Sequence, residues 1–304
     1  VILSGPDRAA FLHNFCTQDI KQLQPGKATE AFVTTHQARV LAWIQVAALS
    51  DRLIVTAESD LGTKLAAHLE RYHISEAVEV QDATAAFVSR FVAGPSAAAM
   101  LGSALERDAL VLPPDHVEET GPDRLRGTVL RLDWFGGPGY FVILPREGAQ
   151  EFDQRLQALG VVAGDATTWN DFRVRHGVPA YGADIDETNL PQEVNRTGRA
   201  ISFTKGCYLG QEPVARIHAL GHVNRLLLPL RLRGESLDSS TWSGAKLQAN
   251  GQDAGQVTSF GRDPDGDGWL ALGYVRRGYQ DPGTELSMYL ASGQSARAEV
   301  DARS

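Results

Sequence analysis

The sequence predicts an α+β fold with antiparallel sheets, followed by a small β-barrel. Two observations carry this. From residue 54 to residue 159 strand, helix and hairpin patterns alternate, which builds a mixed lobe. After Arg216 only short strand-like runs appear, separated by Gly- and Asp-rich turns and without any helix-length period. A length of 304 residues, 43% of them hydrophobic, leaves room for two or three domains.

The elements follow in order. Ile54-Val55-Thr56 reads as a strand and Asp60 as the N-cap of a helix whose Leu61, Leu65 and Leu69 share a face. Val78 and Val80 alternate with charged residues, marking a second strand. Residues 86–93 form a third, stopped by Gly94, and Pro95 opens a helix continued to Leu105. The runs 129–134 and 140–144 flank Gly136-Gly137-Pro138-Gly139, a hairpin, and a helix over 149–159 ends at Gly160. A further helix over 167–176 buries Phe172 and stops at Gly177 before Pro179. Barrel strands are expected at 226–232, 246–249, 256–260, 269–275 and 285–290. The reading places residues 1–220 in one unit and 221–304 in the barrel.

A net charge of −8 disfavours a general nucleic-acid binder, which needs basic residues to displace phosphate counterions. No apolar run reaches the roughly 20 residues of a membrane helix. The first residues lack a basic segment followed by an apolar stretch, so no secretory signal is expected. Two cysteines, Cys16 and Cys207, make no disulfide framework and suit a reducing cytoplasm.

One segment concentrates chemistry: Lys205-Gly206-Cys207-Tyr208-Leu209-Gly210-Gln211-Glu212. Its glycines allow sharp turns or close approach of a ligand. In an extended backbone Lys205 and Cys207 share a face, so the ammonium would favour a thiolate. An ordinary turn with a small buried cysteine fits the same residues, and spacing leaves both readings open. Three metal patterns fail. Asp263, Asp265, Asp267 and Gly268 mimic a calcium loop, but Tyr274 stands at the final ligand position. Cys207, His218 and His222 fall one ligand short of a structural zinc site. Two cysteines alone cannot hold an iron–sulfur cluster in the usual four-thiolate way.

The eight-residue segment resembles the hallmark of the YgfZ group, relatives of the glycine cleavage T protein. Phe11-Leu12-His13, Thr17-Gln18-Asp19-Ile20 and Leu23-Gln24-Pro25-Gly26 resemble the family's opening helix and turn. Arg39-Val40-Leu41-Ala42 resembles its next strand, with Ala38 in place of a customary glycine. Gly94-Pro95 resembles the start of its middle lobe, and Val257-Thr258-Ser259 and Ala271-Leu272-Gly273-Tyr274-Val275 its barrel. A second match runs through residues 173–179, Tyr181-Gly182, Asp184-Ile185 and Pro191-Gln192-Glu193.

The resemblance implies two α/β subdomains that form a T-protein-like unit, plus the barrel. It implies tetrahydrofolate or a one-carbon derivative as cofactor, with Glu193 pairing to the pterin and Tyr181, Arg216 and Gln211 completing the site. A carboxylate can accept the paired N–H groups of such a ring. Arg216 could equally be a plain surface residue. The resemblance makes Cys207 and Lys205 the reactive pair, framed by Gly206, Tyr208, Gly210 and Glu212. Its functional implication is help in assembling or maintaining iron–sulfur clusters in client enzymes, including radical enzymes that modify tRNA. The implied partners are those clients or assembly proteins, with no direct nucleic acid and no membrane. The rival is an aminomethyltransferase or demethylase. T proteins tend to carry paired acids before the strand matching residues 53–56, and here Arg52 follows Asp51. A bare interaction module that has lost folate is a further rival.

Overall fold

The computed structural model describes every residue except 108–109, 234–241, 243, 264–267, 291–293 and 303–304. Asp265 and Asp267 therefore lie outside the described residues. The chain forms two compact units, neither of them one continuous stretch. The first comprises Val1–Thr35, Leu41–Ala163 and Gly198–Leu209; the second comprises His36–Val40, Gly164–Thr197 and Gly210–Ser304.

The first unit holds β1 (Ile2–Ser4), α1 (Arg8–His13), β2 (Ala28–Thr34), β3 (Val40–Ala48, its first residue counted with the second unit), β4 (Arg52–Thr56), α2 (Gly62–Glu70) and β5 (Glu79–Gln81). It continues with β6 (Phe87–Ala93), α3 (Ala97–Ala104), β7 (His116–Thr120), β8 (Gly127–Leu132), β9 (Gly139–Pro145) and α4 (Ala149–Ala158). Two sheets result, in the orders β2-β3-β4-β1-β5 and β6-β9-β8-β7. Ala47 and Ile54 of one sheet pack with Leu130 and Ile143 of the other in a shared apolar layer. Leu101, Phe152 and Leu156 of α3 and α4 cover the second sheet through Val129, Val142 and Leu144.

Most elements of this unit stand where the pattern put them. Leu61, Leu65 and Leu69 are all buried on one face, although the helix is entered through a short 3-10 turn and Asp60 does not cap it. The expected hairpin is β8–β9, paired from Thr128↔Ile143 to Leu132↔Gly139.

In the second unit come α5 (Ala166–Arg175), the single turn α6 (Thr197–Ala200), whose last residues fall in the first unit, and α7 (Gln211–Leu220). The barrel strands are β10 (Arg225–Arg233), β11 (Lys246–Ala249), β12 (Gln252–Arg262), β13 (Trp269–Arg276), β14 (Glu285–Tyr289) and β15 (Ser295–Val300). They close in the order β10-β13-β12-β11-β14-β15, with β15 returning to β10. Leu230, Leu247, Val257, Val275 and Met288 fill the interior. All five expected strands are present, and closure adds the sixth, β15.

On α5 the expected buried face is corrected. Phe172 is only half-buried, whereas Arg173 is 5% exposed. A guanidinium is tolerated there because Asp184 Oδ2 lies 2.6 Å from Nη1, and Ser259 Oγ and Asn170 Oδ1 accept from Nη2. The backbone also explains the customary glycine before β3. Ala38 is fully buried with φ +60°, the left-handed region that a Cβ disfavours. Ala38→Gly is expected to stabilise the protein by about 0.5–1 kcal/mol, the relief of that strain less the added freedom of the unfolded chain. A urea titration reads this, and a loss of stability would contradict it.

Candidate functional site

The segment ahead of α7 lies along the loop that follows α1, inside the first unit. Thr17 Oγ1 donates to the Ala200 carbonyl at 2.6 Å, the Leu209 N–H to the Asn14 carbonyl at 2.8 Å, and Thr34 Oγ1 to the Leu209 carbonyl at 2.7 Å. Lys205 is buried in this contact. Its Nζ donates to the carbonyls of His13 (2.6 Å), Cys16 (2.7 Å) and Gln18 (2.8 Å). An ammonium has three protons, and all three are used. The charge also sits 4.7 Å from the centroid of the Tyr208 ring, itself buried.

This changes the role expected for Lys205. It is a positioning residue that staples two loops, and the thiol whose titration it touches is Cys16. Burial raises the Cys16 pKa, and the Lys205 charge opposes that rise. Burial likewise lowers the Lys205 pKa, opposed by Cys16 and Asp19, and raises that of the Tyr208 phenol. Cys207 is exposed and forms no disulfide. At Gly206 an added Cβ would meet only His13 Nε2, at 3.9 Å, so packing does not require glycine there.

Gly210 begins the part of the motif that belongs to the second unit. With φ +86° it N-caps α7, a conformation that favours glycine. Gln211 is the first helical residue, and the exposed Glu212 places a carboxylate at the positive end of the helix dipole. Arg216 is exposed on the same helix and makes no ion pair among the described residues. Glu193 lies in a buried 3-10 turn, Pro191–Val194. Its Oε2 accepts from the Leu190 N–H at 3.2 Å and from Arg225 Nη2 at 3.0 Å. Arg225 in turn lies 4.7 Å over the Tyr274 ring, whose pKa is raised by burial and then by the Glu193 charge. Tyr181 is half-buried, with its hydroxyl 3.5 Å from the Val40 carbonyl.

One partner of Glu193, Arg225, is not marked by the sequence motifs. Arg225 opens β10, and a buried carboxylate without a nearby cation is the signal that should prompt a search for one. Gln192 donates to the Val214 carbonyl at 2.7 Å, while its buried Oε1 has no hydrogen-bond partner. Oε1 of Glu193 also accepts no bond among the described residues. Gln192 Oε1 is thus an open acceptor at this turn.

The first unit contains a groove of about 990 Å³ lined by Ile2, Ile54, Phe87 and Ile143 with Arg52 and Arg146, among others. It opens at the edge of the apolar layer between the two sheets. None of the expected site residues lines it. Arg52 there pairs with Asp51 at 2.7 Å and with Glu119, so Asp51 has a cation, not a second acid, beside it. Among the described residues no cluster of three or more His, Cys, Asp or Glu side chains could hold a metal ion, and no helix is long and apolar enough to cross a membrane.

Comparison with known proteins agrees with this architecture. A chloroplastic putative transferase of Arabidopsis thaliana is 26% identical over 284 residues, covering 90% of this chain. The chain spans only 62% of the length of that relative. The tRNA-modifying protein YgfZ of Edwardsiella ictaluri is 28% identical over 77% of this chain and 69% of its own. A mitochondrial iron–sulfur cluster assembly factor of Mus musculus is 34% identical over 37% of this chain and 31% of its own. The crystal structure of the glycine cleavage system aminomethyltransferase T from Bartonella henselae superposes with a TM-score of 0.86 at 23% identity, covering 99% of this chain and 82% of that one; it speaks to fold. The GCVT N-terminal domain model matches residues 1–205 and the glycine cleavage T-protein C-terminal barrel domain model residues 225–303, and the chain belongs to this family.

Proposed function

We propose that this protein is a tetrahydrofolate-binding factor that assists assembly or repair of iron–sulfur clusters in client enzymes, among them radical enzymes that modify tRNA. The observation that carries the reading is the exposed Cys207 thiol on a loop fixed by the buried Lys205. An exposed thiol on a pinned loop suits a group offered to a partner protein. The names of the two relatives, one a tRNA-modifying protein and one a cluster assembly factor, support the same direction.

Folate, or a one-carbon derivative of it, would supply a carrier for a one-carbon unit. Glu193, through Oε1, and Gln192, through its unpartnered Oε1, would accept from the pterin N–H groups, and Arg225 holds the carboxylate in place. Tyr181, Gln211 and Arg216 complete the proposed contacts, with Arg216 suited to a carboxylate of the glutamate tail. Partners are client or assembly proteins, and the proposed compartment is a cytoplasm or comparably reducing space.

Glu193→Ala is expected to weaken tetrahydrofolate binding at least about tenfold in calorimetry, the loss of roughly 1.4 kcal/mol or more of charge-assisted hydrogen bonding. Unchanged affinity would remove Glu193 from the site. The second reading, aminomethyl transfer, is favoured by the aminomethyltransferase relatives and opposed by the pairing of Asp51 with Arg52. Steady formation of methylenetetrahydrofolate from an aminomethyl donor would decide for it.

A further inference from the structure

Helix α2 carries Lys64, His68 and Arg71 at intervals of four and three residues, Arg71 being its C-cap. That spacing puts the three side chains on one stripe. The stripe lines a cavity of about 250 Å³, closed by Leu41 and Ala42 of β3 together with Leu61 and Leu65. No carboxylate belongs to the lining among the described residues. In a chain of net charge −8, this lining brings two permanent cations and an imidazole together.

Helix electrostatics accounts for only part of it. Arg71, at the carboxy-terminal end, complements the dipole. Lys64, in the first turn, opposes it, and no acidic residue shares that turn. His68 stands apart, because its Nε2 is buried and has no hydrogen-bond partner. The ring is held between Tyr72 (5.3 Å between centroids) and Phe15 (6.5 Å). Burial lowers its pKa, and Arg71 and then Lys64 lower it further.

We propose that Lys64, His68 and Arg71 form a binding site for an oxyanion group, a carboxylate or a phosphate. Lys64 and the Arg71 guanidinium supply charge from the solvent side, and His68 supplies the N–H that now has no acceptor. The volume admits the anion and a few attached carbon atoms, given about 30 Å³ for a water molecule. The group is either a free ion or the end of a larger molecule that extends into solvent. This site is independent of the folate reading.

The test is a pH titration of the His68 imidazole by NMR on the full chain at constant ionic strength, in chloride, inorganic phosphate or glutarate. Phosphate or glutarate is expected to shift the resonance saturably and to raise the midpoint by at least about half a pH unit relative to chloride. The exposed Lys64→Gln and Arg71→Gln variants are each expected to keep the fold by circular dichroism and to weaken the probe at least about fivefold. Glutarate binding alone assigns the site to a carboxylate-ended molecule, phosphate binding alone to a phosphorylated one, and binding of both to either. No saturable shift with either probe, or unchanged affinity in both variants, overturns the proposal.

Discussion

Lys205→Met is expected to lower the unfolding free energy by about 3–5 kcal/mol in a urea titration, the range for removing one member of a buried charged contact. Methionine keeps most of the unbranched stem but leaves the carbonyls of His13, Cys16 and Gln18 facing no donor. Arginine is not expected to rescue, because a planar fork cannot point three protons at three separate carbonyls. The pH dependence carries a second signature. Burial lowers the Lys205 pKa in the folded state, so the unfolded chain binds the proton more tightly. Between that lowered value and the ordinary lysine value, wild-type stability therefore rises with pH, and the methionine variant lacks this rise. A loss below about 1 kcal/mol would mean the staple is dispensable.

Arg173→Met is the second large effect, again about 3–5 kcal/mol, because it strands a buried carboxylate. The Asp184 side chain is 0% exposed and accepts from Arg173, from the Ala180 N–H at 2.9 Å and from Thr258 Oγ1 at 2.5 Å. Tyr274 Oη donates to the Asp184 carbonyl at 2.9 Å. The network fixes α5 and the 180–185 turn against β12 and β13, within the second unit. Combining Arg173→Met with Asp184→Asn is expected to cost less than the sum of the singles by at least about 1 kcal/mol, since neither charge then remains unpaired. Strict additivity in the double-mutant cycle would contradict this account.

The same two clusters show what the sequence made legible. Periodicity found the leucine face of α2, the β8–β9 hairpin and five barrel strands, because each is a local pattern. It missed β15, whose Ser-Ala-Arg-Ala-Glu-Val run has one β-branched residue, Val300, and no aromatic to mark a strand. Pairing with β10 and β14 makes it one. It favoured Phe172 over Arg173 as the buried side chain because the partner that makes arginine tolerable lies eleven residues on, across a turn. Parity along an extended strand suggested that Lys205 faces Cys207. Its actual acceptors are carbonyls 187 to 192 residues away in sequence. Arg225, which holds Glu193, is 32 residues beyond it. The motif was visible, but the division of labour within it, with Lys205 as staple and Cys207 as exposed thiol, depends on long-range contacts.

The central claim is that Cys207 acts outward, on a partner, from a loop whose stability does not depend on it. Its most direct test compares wild type with Cys207→Ala in cells lacking the protein, reading the activity of iron–sulfur enzymes at matched protein abundance. The account predicts that the alanine form accumulates and melts like wild type and fails to restore those activities. Full restoration by Cys207→Ala would contradict it.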